Sequence, residues 1–211
     1  MKRASRPSRA PFTAKKRQSN ATHGASGQIR IIGGQWRGRK LPVRDVTGLR
    51  PTTDRNKETL FNWLMHKLTD AVCIDVFAGS GGLGFEALSR YAKHCDFIEK
   101  DSGAFNQLVE NTKLLRLNSP EHVSVLQGDA LSILSSLSKN SFDIAFVDPP
   151  FGKGLVQPVL DLIDKHQLMA SNGVIYIEQE SGLPWPTLPA HWQLTKSKET
   201  SSLMYGLIEI S

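Results

Sequence analysis

The sequence feature that most constrains the fold is a regular alternation of short apolar runs with segments typical of helices, beginning at residue 71. The apolar runs have the length of buried strands. The predicted strands are 71–77, 95–98, 123–126, 142–147 and 174–178, and the predicted helices between them are 81–91, 102–115, 130–137 and 156–169. Strands that alternate with helices form right-handed βαβ units, so this region is predicted to be an α/β domain on a parallel sheet.

Two regions lie outside this alternation. Near the C-terminus, the runs 191–196 and 203–210 have no helix between them and predict an antiparallel pair at the sheet edge. Near the N-terminus, residues 29–44 predict two short strands around a glycine-rich turn. A loop with a helix N-cap pattern follows at 49–54, and the next helix has one apolar face, made of Leu60, Phe61, Leu64 and Leu68.

A glycine-rich loop follows the first strand of the alternation. It reads Asp75-Val76-Phe77-Ala78-Gly79-Ser80-Gly81-Gly82-Leu83-Gly84. Glycines let the chain turn sharply from strand to helix and let a ligand approach the backbone. The stretch from Gly79 to Gly84 fits the GxGxxG pattern of dinucleotide sites, but turn glycines without any ligand give the same pattern. We predict that a cofactor contacts the loop at Phe77, Ala78, Gly79, Ser80 and Gly81.

Acidic residues recur at the carboxyl ends of three predicted strands. Asp75 precedes the glycine loop, Glu99 ends the second strand, and Asp129 follows the third. A carboxylate at Asp75 would repel a pyrophosphate but attract the ammonium group of S-adenosylmethionine. Glu99 could accept hydrogen bonds from the ribose hydroxyls and Asp129 from the adenine amino group, since ligands of parallel sheets bind at these strand ends. The pattern therefore favours S-adenosylmethionine over NAD, and the neighbours Lys100 and Ala130 are also predicted to line its site.

The most specific motif is Asp148-Pro149-Pro150-Phe151, at the end of the fourth strand. It fits a pattern found in methyltransferases that act on planar amino groups. Such an amine is a poor nucleophile because its lone pair is delocalised into the ring. The Asp148 carboxylate and the Pro149 carbonyl could each accept one N–H and free the lone pair, with consecutive prolines fixing the carbonyl. Pro150 and Phe151 complete the predicted catalytic loop, and the Phe151 ring could stack on a flipped-out base.

The positive charge is concentrated at the front of the chain. Residues 1–44 hold twelve Lys and Arg and no Asp or Glu, while the net charge of the whole chain is +6. This asymmetry favours a polyanionic partner such as a nucleic acid, although a solubilising tail would look similar. The candidate RNA-binding residues are Arg30, Trp36, Arg37, Arg39, Lys40, Arg50 and Arg55. Trp36 could equally pack the hairpin onto the body, and Arg50 and Arg55 could brace their loop.

On these motifs the sequence resembles the bacterial small-subunit ribosomal RNA guanine-N2 methyltransferases of the RsmD type over roughly residues 29–211. The matching stretches are 30–34, 36–39, 49–52, 54–55, 58–64, the glycine loop and 148–151, with departures at Asn56, Lys57 and Gly82. The resemblance implies a Rossmann-like class I S-adenosylmethionine-dependent methyltransferase fold with a seven-stranded, mostly parallel sheet. It also implies a guanine of 16S ribosomal RNA as substrate, either naked or within the small-subunit particle.

These inferences divide the chain into three predicted parts. Residues 1–28 are predicted to be a disordered basic tail, 29–70 an RNA-binding extension of hairpin plus helix, and 71–211 the catalytic domain. The alternatives are an adenine-N6 methyltransferase, a non-catalytic ribosomal RNA-binding assembly factor and an NAD-dependent oxidoreductase. An enzyme specific for DNA usually carries a large target-recognition domain, for which 211 residues leave no room.

Composition excludes several other classes. No apolar stretch is long enough to span a bilayer. Cys73 and Cys95 lie in strand-like runs and are predicted to be buried free thiols of a reducing compartment. The six scattered histidines argue against a zinc site or a Ser/His/Asp hydrolase. The N-terminus lacks the apolar region of a secretory signal, and Pro7 and Pro11 weaken a transit-peptide helix, so we expect a cytoplasmic monomer without membrane or metal partners.

Overall fold

A seven-stranded sheet forms the centre of the computed structural model, which describes residues 27–43, 54–117 and 119–211. The strands are β1 (Gly27–Arg30), β2 (Lys40–Val43), β3 (Val72–Asp75), β4 (His94–Glu99), β5 (Val123–Gln127), β6 (Phe142–Val147), β7 (Met169–Glu180), β8 (Trp192–Glu199) and β9 (Leu203–Ile210). The α-helices are α1 (Asp54–Trp63), α2 (Gly84–Ser89), α3 (Ser102–Leu114), α4 (Ala130–Leu134) and α5 (Val156–Lys165). A 3-10 helix, Gly34–Trp36, lies between β1 and β2, which pair as a separate antiparallel hairpin.

The order of the seven strands is β5-β4-β3-β6-β7-β9-β8. Strands β3 to β7 are parallel, as the βαβ pattern predicts, and β9 pairs antiparallel with both β7 and β8. Within this sheet the first strand along the chain is β3, the next two, β4 and β5, lie on one side of it, and β6 lies on its other side. A ligand cleft is expected at this reversal, outside the carboxyl ends of the strands.

Alternate residues of each strand face opposite sides of the sheet. On one face, Cys73, Phe97, Phe146 and Tyr176 pack in a core cluster with the hairpin and helices α1, α2 and α3. On the other face, β-strand residues of the opposite parity pack against α4 and α5. Each of these four strands also has an acidic residue two positions after the core residue, and therefore on the same face. These acids lie at the carboxyl ends of β3, β4, β6 and β7 and are Asp75, Glu99, Asp148 and Glu178.

The hairpin is fixed to helix α2 by a dense set of hydrogen bonds. The hydroxyl of Ser89 donates to the carbonyl of Gly33 at 2.6 Å and accepts the backbone N–H of Trp36 at 3.0 Å. The fully buried Glu86 accepts from the backbone N–H of Ile32 at 2.8 Å and pairs with Arg90 at 2.7 Å. The hairpin therefore packs as part of the same core as the sheet.

Some element boundaries differ from the sequence predictions. Strand β1 begins at Gly27, so the predicted limit of the disordered tail at residue 28 is wrong by two residues, and residues 1–26 lie outside the described part of the chain. Helix α4 ends at Leu134 and α5 at Lys165, both earlier than predicted. Gln167 has a positive φ of 51°, which ends α5 and lets β7 begin at Met169, with a register shift before the regular pairing from Ile144 onward.

Cys73 and Cys95 are direct neighbours in the β3–β4 register. Both are buried free thiols, as the sequence predicted. Burial is the main cause that raises the pKa of the Cys95 thiol well above its ordinary value. Two neutral thiols on the core face of a sheet act as small apolar side chains.

Candidate active site

A cleft of about 1310 Å³ opens at the carboxyl ends of the parallel strands, at the reversal point beside β3. Its walls include the ends of β3 to β7, the hairpin and helix α1. All of the predicted catalytic residues contribute to it, and so do all of the predicted cofactor residues except Gly81. The fold thus brings together segments that lie far apart in the sequence.

The glycine loop forms the floor of the cleft between β3 and α2. Phe77, Ala78, Gly79 and Ser80 line the cleft. Gly81 has a φ of 79°, and a Cβ there would lie 2.4 Å from the ring of Phe85. Gly81 is therefore required for the loop conformation and its packing against the body, and the structure does not place it on the cleft wall.

Asp75 is almost completely buried at the end of β3, with 2% of its surface exposed. Its Oδ2 accepts the backbone N–H of Gly84 at 3.0 Å, which ties the strand to the start of α2. Burial raises the pKa of Asp75 to about 7, and the nearby Glu99 carboxylate adds to this increase. A buried carboxyl with a pKa near neutral pH can lose its proton when a cation binds beside it.

Glu99, at the end of β4, holds two parts of the site in place. Its Oε2 accepts the N–H of Gly79 at 2.7 Å, and its Oε1 accepts the N–H of Asp101 at 2.7 Å. A carboxylate oxygen can accept more than one hydrogen bond, so both oxygens keep acceptor capacity toward the cleft. Glu99 therefore shapes the glycine loop and can also bind a ligand hydroxyl.

Asp129 caps helix α4 at the end of the third parallel strand. Its Oδ1 accepts the N–H groups of Leu131 and Ser132, and its Oδ2 pairs with Lys100 at 3.2 Å. The hydrogen bond from Lys100 is the main cause that lowers the pKa of Asp129. Asp129 is exposed at the edge of the cleft beside Ala130, and it is ionised there at neutral pH.

The loop after β6 places Asp148 and Pro149 inside the cleft and leaves the rest of the motif exposed. Asp148 is half-buried, Pro149 is buried, and Phe151 is 39% exposed. The N–H of Gly152 donates to a carboxylate oxygen of Glu180, which anchors the end of the loop to β7. An exposed aromatic ring beside a half-buried carboxylate suits a planar ring system that enters from solvent.

Three buried polar residues of the cleft were not predicted as site residues, namely Asn56, Lys57 and Glu178. Lys57 is 3% exposed and donates to the carbonyl of Arg30 at 2.6 Å, and burial lowers its pKa. In the sequence, Asn56 and Lys57 stand out only as departures from the family pattern. Glu178 ends a predicted strand, so the rule that selected the other strand-end acids would have found it.

The RNA-binding candidates lie on and next to the hairpin. Arg30, Arg37, Arg39, Lys40 and Arg55 are exposed, and Arg50 lies outside the described residues. Arg39 donates to the carbonyl of Leu114, at the C-terminal end of α3. Trp36 is half-buried and packs against the core cluster, which accords with the alternative that it anchors the hairpin.

Within 27–43, 54–117 and 119–211, no group of three or more His, Cys, Asp or Glu side chains could hold a metal ion. In those ranges, too, every helix is too short or too polar to cross a membrane.

Comparison with known structures identifies the class to which this arrangement belongs. An Escherichia coli structure assigned as a methyltransferase superposes with a TM-score of 0.78 at 43% identity, covering 87% of this chain and 98% of that one. A Haemophilus influenzae structure assigned as a methylase gives a TM-score of 0.77 at 42% identity, covering 87% of this chain and 99% of that one. The fold and the strand-end cleft are those of a Rossmann-like methyltransferase.

The family follows from the sequence comparisons. Residues 29–209 match the family model described as Conserved hypothetical protein 95, and the chain belongs to this family. A curated Escherichia coli K12 relative, named ribosomal RNA small subunit methyltransferase D, is 47% identical over 187 residues, covering 89% of this chain and 92% of that protein. A Haemophilus influenzae relative with the same name is 45% identical over 189 residues, covering 89% and 97%.

Proposed function

We propose that this methyltransferase uses S-adenosylmethionine to methylate the exocyclic N2 amine of a guanine in 16S ribosomal RNA. The observation that carries the proposal is the Asp148–Phe151 loop at the end of β6, which shares one cleft with the glycine loop and the strand-end acids. The names of the relatives at 45–47% identity support small-subunit ribosomal RNA as the substrate.

The acidic residues of the cleft match the hydrogen-bond donors and the positive charge of S-adenosylmethionine. The buried carboxyl of Asp75 would hold its ammonium group, since a cation offsets the cost of ionising a buried acid. Glu99 would accept hydrogen bonds from the ribose hydroxyls with the acceptor capacity left on its two oxygens. Asp129 would accept from the adenine amino group, and three acids around one ligand would disfavour the pyrophosphate of NAD.

The residues of the loop would act on the amine of the base. When bound, S-adenosylmethionine supplies a methyl group on a positively charged sulfur, which an amine lone pair can attack. Asp148 would accept one N–H of the exocyclic amine and the Pro149 carbonyl the other, which localises the lone pair on nitrogen. Phe151 would stack on the base once it has left its helix, and its 39% exposure leaves the ring face accessible.

The basic front end would bind the phosphates of the RNA. Exposed Arg and Lys side chains on the hairpin and on α1 have the charge and position for backbone contacts. Such contacts orient the substrate without reading its sequence. We propose that the protein acts as a cytoplasmic monomer and that the hairpin and α1 form the RNA-binding extension of the catalytic domain.

The main rival is an adenine-N6 methyltransferase, because Asp148-Pro149-Pro150-Phe151 would handle that amine in the same way. Ribosomal RNA from cells with and without the gene, digested to nucleosides and mapped by mass spectrometry, separates the possibilities. We expect one guanine of 16S RNA to lose its N2-methyl group in the deletion strain. Loss of N6-methyladenosine would support the rival, and no lost methyl group at all would favour the non-catalytic assembly factor.

A further inference from the structure

Glu178 is a buried acid of the cleft with no role in the mechanism described above. It lies near the end of β7, with 4% of its surface exposed, and it contributes to the same cleft as Asp148. Strands β6 and β7 are parallel neighbours in which Val147 pairs with Ile177. The next residues along the two strands are Asp148 and Glu178, so the two carboxylates come from adjacent strands at the same level of the sheet.

One buried tyrosine donates a hydrogen bond to Glu178, and a second is its register partner on the neighbouring strand. The hydroxyl of Tyr176, two residues earlier on the same face of β7, donates to Oε2 of Glu178 at 2.7 Å. Glu178 is also in register with Tyr205 of β9, whose ring lies 6.1 Å from the ring of Tyr176. Both tyrosines are fully buried. A carboxylate held in this way is a rigid acceptor, a type of group that suits recognition of a fixed donor.

We propose that Glu178 selects guanine by accepting the N1–H of the target base while Asp148 accepts from the N2 amine. The inference rests on the proposed guanine-N2 activity. N1–H and the N2 amine are adjacent donors on one edge of guanine, and two acceptors on adjacent strands suit such a pair. Adenine has an unprotonated N1 whose lone pair would face the carboxylate, so Glu178 would also exclude adenine.

Guanine analogues without N1–H test this role. 2-Aminopurine and O6-methylguanine keep the N2 amine but have an unprotonated N1. The substrates are small-subunit particles reassembled with each base at the mapped nucleotide. We expect the wild-type kcat/KM to fall roughly 100-fold or more for both analogues, since a site built to bind an N–H strongly rejects ligands that lack it.

The variant Glu178→Gln should remove most of this discrimination. Its amide can accept from the N1–H of guanine or, after a flip, donate to the unprotonated N1 of an analogue. We expect the ratio of kcat/KM for guanine to that for 2-aminopurine to fall by at least about tenfold. The matched control is Glu209→Gln, the same change at the far end of the β7–β9 pairing, which should keep the wild-type ratio.

Two results would overturn the proposal. One is a wild-type enzyme that methylates either analogue as fast as guanine, a result that needs no variant and holds even if Glu178→Gln fails to fold. The other is a Glu178→Gln enzyme that binds S-adenosylhomocysteine normally but loses activity equally on guanine and 2-aminopurine, as a purely structural role predicts. Failure of the proposed function itself looks different, because the wild type would then form no N2-methylguanosine on the unmodified particle.

Discussion

At the scale of single residues, burial distinguishes the acids at the strand ends. Asp75 and Glu178 are 2% and 4% exposed, Asp148 is half-buried, and Asp129 is exposed and paired with Lys100. A buried carboxyl binds a cation or a donor strongly because water does not compete, whereas an exposed one contributes little beyond orientation. We therefore propose that the buried Asp75 and Glu178 bind the ammonium group of the cofactor and the target base, and that the exposed Asp129 binds the adenine amino group at the edge of the cleft.

The raised pKa of Asp75 predicts that cofactor binding depends on pH. If the ammonium group of the ligand contacts Asp75, binding favours the ionised carboxyl and releases a proton below about pH 7. We expect calorimetry with S-adenosylhomocysteine to show affinity rising from about pH 6 to about pH 8, with Asp75→Asn losing this dependence. Equal proton release by the wild type and Asp75→Asn would remove Asp75 from the ammonium site.

The same shift also affects stability without a ligand. Because the pKa of Asp75 is about 7 in the folded protein and its ordinary value is 3.8, the folded protein keeps a proton that the unfolded chain loses between these pH values. The contribution of Asp75 to the free energy of unfolding therefore falls as pH rises through this window. Urea unfolding of Asp75→Asn, which cannot titrate there, provides the reference for this part of the pH dependence.

Substitutions of Asp148 are expected to lower the rate of methyl transfer and to leave cofactor binding largely intact. Asp148→Ala should lower kcat by about 100-fold or more, because the amine loses the acceptor that orients it. Asp148→Asn should be milder, since its amide oxygen still accepts a hydrogen bond. The measurement is single-turnover methylation, with S-adenosylhomocysteine affinity as the control for an intact site. Near-wild-type turnover in Asp148→Ala would show that the carboxylate does not act on the amine.

At the scale of elements, the contact between the hairpin and α2 depends on a glycine. Gly34 has a φ of 70°, and a Cβ there would lie 1.8 Å from the carbonyl oxygen of Ser89. Gly38, in the same turn, has a φ of 84° but nothing within 4 Å of the position of a Cβ. A substitution at either glycine would therefore introduce backbone strain, but only one at Gly34 would also introduce a steric clash.

This difference predicts unequal costs for the same substitution. Gly38→Ala should lower the free energy of unfolding by about 1 kcal/mol through its positive φ alone. Gly34→Ala should cost about 3 kcal/mol or more, because the hairpin must also move away from α2. Urea unfolding gives both values. Equal losses in the two variants would mean that the hairpin does not pack on α2 as described.

The elements also show where sequence reasoning succeeds and where it stops. Apolar runs and turn residues are local, so the strands, helices and final antiparallel pair were predictable. The position of β9 between β7 and β8 depends on tertiary packing, and no glycine or proline in the sequence marks the early end of α5, where Gln167 has a positive φ. The burial of Lys57 in the cleft could not be predicted, because a charged residue is buried only when distant groups such as the Arg30 carbonyl receive it.

At the scale of the whole molecule, the hairpin turn and the cleft lie at opposite ends of the helices on one face. Arg39 contacts the C-terminal end of α3, while Asp101, at the N-terminal end of α3, lines the cleft. A 13-residue helix separates the two by about 20 Å. Phosphates bound by the turn would therefore lie well away from the target base, and the turn should affect substrate binding more than chemistry.

Salt dependence tests this arrangement. Arg37→Ala with Arg39→Ala should weaken substrate binding and reduce the slope of log K against log salt by about 1 to 2, with kcat nearly unchanged. The control is Lys139→Ala with Lys165→Ala, which removes the same charge from exposed positions outside the hairpin. An unchanged slope in the arginine variant, or an equal change in the lysine variant, would mean that the turn makes no specific phosphate contacts.

One labelling reaction tests whether this protein methylates a guanine of 16S RNA. The purified protein is incubated with S-adenosylmethionine carrying a deuterated methyl group and with small subunits from cells that lack the gene, in parallel with deproteinised 16S RNA. Nucleoside mass spectrometry then identifies the labelled product. We expect labelled N2-methylguanosine at a single position in at least one of the two substrates, and far less label in the same time with Asp148→Ala. Label on another base, or no label in either RNA with a protein that binds S-adenosylhomocysteine, would contradict the proposed guanine-N2 activity.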